Sequence, residues 1–248
     1  MPRYKLIIEY HGAAYCGWQR QENGYGVQHA LEEAVRQIEP TVDKITAAGR
    51  TDAGVHATGQ VVHFDAVRDW EPFDLAKAIN HFLRKERVSV IQVEKAADDF
   101  HARFHALARH YRYKIIQRRA PLAVDDGLAW HIKAPLDLDA MREGAAHLIG
   151  HHDFTTFRSI NCQAKSPMKT MDVIQIDRDG ERIDITLRAR SFLHNQVRSI
   201  AGTLERVGKG VWSPDQVRIA LEAKDRTACG PVAPSCGLYL ERVIYEEK

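Results

Sequence analysis

One pattern restricts the fold of this chain more than any other: the run Tyr4-Lys5-Leu6-Ile7-Ile8 is echoed later by Tyr111-Arg112-Tyr113-Lys114-Ile115-Ile116. Both read as strands. After the first, Val27, Leu31, Val35 and Ile38 stand at helical spacing, and after the second Met141, Ala145 and Leu148 do the same. A strand-then-helix opening used twice points to an internal repeat, and so to two α+β halves of similar order.

The stretches between fit that scheme. Ile45 to Ala47 is a short apolar strand, Gln60 to Asp65 a second, Leu75 to Leu83 a helix and Val88 to Val93 an alternating strand that closes the first half. In the second half Val173–Ile176 and Ile183–Leu187 form a hairpin through Asp179-Gly180. Val197, Ile200, Ala201 and Leu204 give another amphipathic helix, Pro214 sits near the N1 position of the next, and Gly237 to Tyr245 returns to strand. The expected architecture is α+β: two ferredoxin- or RRM-like halves with mainly antiparallel sheets, helices on one face and a basic cleft between the halves. Residues 1–104 form the first half and 105–248 the second. No stretch reads as a flexible linker.

Bulk properties exclude several classes. With 44% hydrophobic and 27% charged residues the chain has the composition of a soluble globular protein. No apolar run reaches the length of a membrane span, and the first residues enter a strand without a signal-peptide core, so a cytoplasmic location is expected. Cys16, Cys162, Cys229 and Cys236 contain no C-x-x-C pair and fit reduced thiols better than disulfides or a zinc site.

The net charge is only +2, but its distribution is uneven. From His101 to Arg119 the chain carries Arg103, Arg109, Arg112, Lys114, Arg118 and Arg119 without an acid, interleaved with Phe104, Tyr111 and Tyr113. A second acid-free stretch, Phe157 to Met171, holds Arg158, Lys165 and Lys169, whereas acids gather between Glu241 and Glu247. Cations that neutralise phosphates, alternating with rings that stack on bases, suit a nucleic-acid partner.

The candidate chemistry lies in Gly49-Arg50-Thr51-Asp52-Ala53-Gly54-Val55-His56-Ala57, a loop expected to join two strands. Asp-x-Gly alone is a common turn; the arginine two residues before it is not required by one. No phosphate-binding loop, nucleophile elbow or H-E-x-x-H helix competes with it. There are 13 histidines, and His151-His152-Asp153, or His56 with Asp52, could hold a metal. The remaining histidines are too scattered to supply the three or four converging ligands such a site needs, so no metal is expected.

Taken together, these stretches resemble the tRNA pseudouridine synthases of the TruA type. The resemblance is carried by the 49–57 loop, by Tyr10-x-Gly12-x-x-Tyr15-x-Gly17-Trp18-Gln19-x-Gln21, by Phe100-His101-Ala102-Arg103-Phe104 with Arg109-x-Tyr111-Arg112-Tyr113, by His152-Asp153-Phe154 with Phe157-Arg158, by Phe192-Leu193-x-x-x-Val197-Arg198-x-Ile200-x-Gly202, and by Gly237-Leu238-Tyr239-Leu240. It implies isomerisation of uridine to pseudouridine at positions 38, 39 and 40 of the tRNA anticodon stem-loop, with no cofactor, by a homodimer.

Residue by residue, the resemblance makes Asp52 the catalytic carboxylate. Burial disfavours its charge and a nearby cation restores it, a part the family pattern gives to Arg198. Arg50 would fill the gap left by an everted nucleotide, Tyr111 would stack on the uracil, and Leu238 would line the pocket. Periodicity does not separate Tyr111 from Tyr113, which share a strand face, nor Leu238 from Leu240. The chain departs from the family pattern at Gln196, Ser199 and Arg84-Lys85. A non-catalytic RNA-binding protein, in which Asp52 only ties a turn, is the alternative.

Overall fold

The computed structural model describes residues 1–20 and 24–246, so Gln21 and Glu247 lie outside the described residues. The chain divides into two compact units, Met1–Leu107 with Leu240–Lys248, and Ala108–Tyr239. In chain order the first contains β1 (Arg3–Tyr10), α1 (Val27–Arg36), β2 (Thr46–Ala47), β3 (His56–Asp65), α2 (Pro72–Leu83) and β4 (Val88–Ala96). The second contains β5 (Ala108–Gln117), β6 (Trp130–Ile132), α3 (Leu138–Ala146), β7 (Gly150–Asp153), β8 (Met168–Asp179), β9 (Arg182–Ala189), α4 (Gln196–Gly208) and α5 (Pro214–Ala223). The last strand, β10 (Leu238–Ile244), starts in the second unit and ends in the first. Periodicity along the chain carries no sign of that return.

The fold is α+β with mainly antiparallel strands. In the first unit β1 lies between β4 and β3, antiparallel to both, β2 adds to β3, and β10 follows β3 on the other side. Strict alternation drives β1: Tyr4, Leu6, Ile8 and Tyr10 are buried while their neighbours are not. Its register is pinned by two cross-strand pairs. Arg3 grips Asp65 of β3 through both carboxylate oxygens at 2.7 and 2.8 Å, and Lys5 reaches Glu94 of β4 at 2.7 Å. α1 buries Leu31 and Val35, α2 buries Leu75, Ile79 and Leu83, and the two helices pack on each other and on β4. That second helix begins at Pro72, three residues before the apolar pattern does, because proline at N1 is already set for a helical turn.

In the second unit the order is β5-β9-β8-β7, all antiparallel, with β6 parallel to β5. Ile183, Ile185, Leu187 and Ala189 of β9 alternate inward. The hairpin turns through Gly180 and Glu181, Asp179 being already paired with Arg182, and glycine at the first turn position supplies the positive φ of 58°. α3 packs on α4, α5 and β8. The three- and four-residue strands β6 and β7 have no expectation from sequence to match, being too short to show a period.

One buried titratable group links this packing to pH. His63 of β3 is 6% exposed, accepts the Ala102 amide at 3.2 Å and lies near Arg3 and His101. Burial first, and then the positive charge of Arg3, push its imidazole down to about 4. The unfolded chain therefore takes up a proton at this position before the folded one does. Its contribution to stability is whole above pH 6.5 and is lost as pH falls toward 4. His63→Gln is expected to flatten the stability profile across that window, by up to about 3 kcal/mol, in denaturant titrations at pH 7 and pH 4.5.

Candidate active site

The loop between β2 and β3 is held on three sides. Where it leaves β2, Ala48 donates to the Val61 carbonyl at 2.8 Å, and the side-chain amide of Gln60 donates to the Gly49 carbonyl at 2.9 Å. Its turn closes on itself, the Val55 amide donating to the Asp52 carbonyl at 3.1 Å. The third side is the segment after β1. Trp18 donates its amide to the Thr51 carbonyl at 3.0 Å, the hydroxyls of Tyr10 and Thr51 lie 2.8 Å apart, and the Gly12 amide donates to Nδ1 of His56 at 3.0 Å. Thr51 and His56, which flank the turn, are buried, whereas Asp52 itself is half-buried.

Two glycines allow that approach. A Cβ on Gly12 would stand 2.0 Å from the Val55 carbonyl oxygen, closer than any atom can come. Gly17 has φ 110° and would carry its Cβ against the Thr51 and Asp52 backbone. The same segment is tied to the start of α1, Val27 and Gln28 donating to the carbonyls of Gly17 and Trp18 at 3.1 and 2.9 Å. The 10–18 signature is thus a brace between helix α1 and the Asp52 turn. No sequence period reports it, but its glycines did mark it.

β3 begins at His56, four residues before the expected Gln60. Gly59 admits the neighbouring chain so closely that its Cβ would meet the Glu241 carbonyl at 2.2 Å, and this pairing with β10 extends the strand back into the motif. His56 is therefore a buried bracing residue whose Nδ1 accepts a hydrogen bond and whose ring meets His11 edge-on at 4.7 Å.

Arg50 is exposed on the same loop as Asp52. The other three singled-out residues belong to the second unit. Tyr111 is half-buried on β5, edge-on to Phe192 at 5.0 Å. Tyr113, two residues on, is fully buried, donates to the Pro234 carbonyl at 2.7 Å and meets Trp130 edge-on. Burial raises its hydroxyl far above the ordinary tyrosine value, so it stays protonated. The two tyrosines that periodicity leaves equivalent are thus distinguished. Leu238 is 5% exposed and Leu240 fully buried, both at the start of β10. Arg198, in the first turn of α4, donates through Nε to the Ala233 carbonyl at 2.8 Å and through Nη1 to Oδ1 of Asn195 at 3.1 Å.

The acid-free run is less of a surface feature than its sequence implies. Lys114 pairs with Asp125 at 2.5 Å, Arg118 with Glu181 at 3.2 Å, and Arg109, 9% exposed, donates to the Arg190 carbonyl. Arg103 and Arg119 remain exposed. Among the described residues no group of three or more histidine, cysteine or acidic side chains is placed to hold a metal. His151 bonds to the Thr170 hydroxyl, His152 to the Ile149 carbonyl, and Asp153 accepts the Thr155 amide. Burial works against the Asp153 charge, but the Thr155 hydrogen bonds prevail and hold it below the usual carboxylate range.

With this geometry in place, the chain matches the family model described as tRNA pseudouridine synthase over residues 6–105 and 145–246. The chain belongs to the tRNA pseudouridine synthase family. It is 56% identical over 247 residues to tRNA pseudouridine synthase A of Sinorhizobium medicae, covering 99% of this chain and all of the relative. It is 57% identical to the protein of that name in Dinoroseobacter shibae, covering 100% of this chain and 98% of the relative, and 55% to one in Cereibacter sphaeroides, covering 99% and 98%. A chain of a Cbf5-Nop10-Gar1 complex aligns at a TM-score of 0.38 and 8% identity, over 96% of this chain and 49% of its own, too distant to bear on the site.

A tRNA pseudouridine synthase is an isomerase. Both matched segments contain parts described above: the brace, the Asp52 turn and β3 in the first, α4 and β10 in the second. Gly12→Ala is expected to force the brace away from Val55, lower stability by about 3 kcal/mol and reduce pseudouridine formation, as read by thermal melting and by product analysis on unmodified tRNA.

Proposed function

We propose that this synthase converts uridine to pseudouridine at positions 38, 39 and 40 of the tRNA anticodon stem-loop, in the cytoplasm and as a homodimer. Asp52 is the catalytic group. The N1–C1′ glycosidic bond of the uridine breaks, the freed uracil turns, and C5 bonds to C1′. The C5 proton leaves to water while N1 gains one. Atoms and electrons balance within the nucleotide, so no cofactor is called for.

In this reading the Asp52 carboxylate acts on the sugar as nucleophile or as base. Arg198 is the cation that serves the Asp52 carboxylate, and Arg50 takes the place of the everted nucleotide in the stack. The Tyr111 ring stacks on the uracil, while Leu238 gives the site an apolar wall. The observation that carries the proposal is the three-sided bracing of the Asp52 turn, since a carboxylate that merely tied a turn would not need a second backbone segment packed onto it. Tyr111 supports it: it is the half-buried member of the tyrosine pair, already fixed edge-on by Phe192.

Asp52→Asn tests the assignment. On unmodified tRNA labelled with tritium at uracil C5, wild type is expected to release label to water and Asp52→Asn to release none above background, with tRNA affinity within about threefold of wild type. Equal behaviour of the two proteins would instead support the non-catalytic RNA-binding alternative.

A further inference from the structure

The start of α4 breaks a rule of helix N-termini. An N-cap residue normally adopts an extended backbone and uses its side chain to accept the free amides of the first turn. Asn195 does neither: it is left-handed, φ 62° and ψ 4°, and its side chain caps no amide. The only other residue of this kind outside glycine among the described residues is Lys224, at the C-terminus of α5, where the left-handed region is customary.

The corner is enforced by its neighbours. Gln196 is fully buried and closes the turn twice, its amide donating to the Leu193 carbonyl at 3.1 Å and its side-chain oxygen accepting the Leu193 amide at 2.8 Å. The Asn195 carbonyl is kept in the helix by the Ser199 amide at 2.8 Å. Oδ1 of Asn195 is thereby withdrawn from capping and turned to Nη1 of Arg198, while Nε of the same guanidinium is fixed on the Ala233 carbonyl. The backbone returns the contact, Ala233 donating to the Arg198 carbonyl at 3.1 Å.

We propose that Asn195 is a positioning residue for the isomerisation: its left-handed corner gives up helix capping in order to fix the plane of the Arg198 guanidinium at a second point. Strain of this kind persists where surrounding structure over-determines it, and here what it secures is the aim of one cation. A planar guanidinium held at two of its nitrogens has a single orientation, whereas one held at one nitrogen can swing. Asn suits the position because it tolerates positive φ and also supplies an acceptor; glycine supplies only the backbone. The proposal rests on Arg198 serving Asp52.

The test uses the full-length protein and tritium release from C5-labelled tRNA. Asn195→Gly keeps the backbone and deletes the acceptor. It is expected to lower kcat between tenfold and a hundredfold with KM for tRNA within twofold and a melting point within a few degrees of wild type. In an Arg198→Lys background, where no planar guanidinium remains to be oriented, the same substitution is expected to cost less than about threefold. Wild-type kcat for Asn195→Gly, a loss shared equally by KM, an undiminished loss in the Arg198→Lys background, or loss of the fold would each overturn it. Asp52→Asn, assayed alongside, separates the two levels: if it stays active the underlying reading has failed, and if it alone is inactive only the role of Asn195 has.

Discussion

The site depends on the contact between two backbones at Gly12 and Val55. Nothing but a hydrogen fits between them, so the segment after β1 lies against the Asp52 turn with no side chain as spacer. Hydrogen bonds from Gly12, Trp18 and Tyr10 then fasten the turn at Thr51 and His56, on both sides of the aspartate. A loop fixed in this way does not have to be ordered when substrate arrives, which is the usual entropic cost of presenting a catalytic group on a connection. The brace is bonded in turn to the first residues of α1, whose buried Leu31 and Val35 belong to the packing of the first unit.

The second unit solves a related problem with a different device. Arg198 is on a helix rather than a loop, and a helix start is rigid but points its side chains wherever the backbone dictates. The Leu193–Gln196 corner and the Ala233 carbonyl correct that direction. Gln196 and Ser199, the departures from the family pattern on α4, are both fully buried. Gln196 supplies the side-chain bond that closes the corner.

Much of this was legible in the sequence because strong local signals agreed with the tertiary outcome. The alternation of β1 and β9, the Asp-Gly hairpin and Pro214 at a helix start need no distant partner to be read. What escaped depends on contacts between remote segments. β3 starts early because Gly59 admits β10, and Tyr113 is separated from Tyr111 by the Pro234 carbonyl and Trp130, none of which a period can show. The basic run misled in part because two of its cations are neutralised, Lys114 by Asp125 just beyond the run and Arg118 by Glu181, far from it in sequence. The left-handed Asn195 has no sequence signature at all, since asparagine before a helix ordinarily means a cap.

The most direct measurement is a structure of the protein with an anticodon stem-loop RNA whose target uridine is in place. The account predicts that uridine turned out of the stack, its C1′ about 3 to 3.5 Å from an Asp52 carboxylate oxygen, with the Tyr111 ring against the uracil and the Arg198 guanidinium beside the carboxylate. An ordered RNA whose everted uridine lies against other side chains, with Asp52 facing solvent, would contradict it.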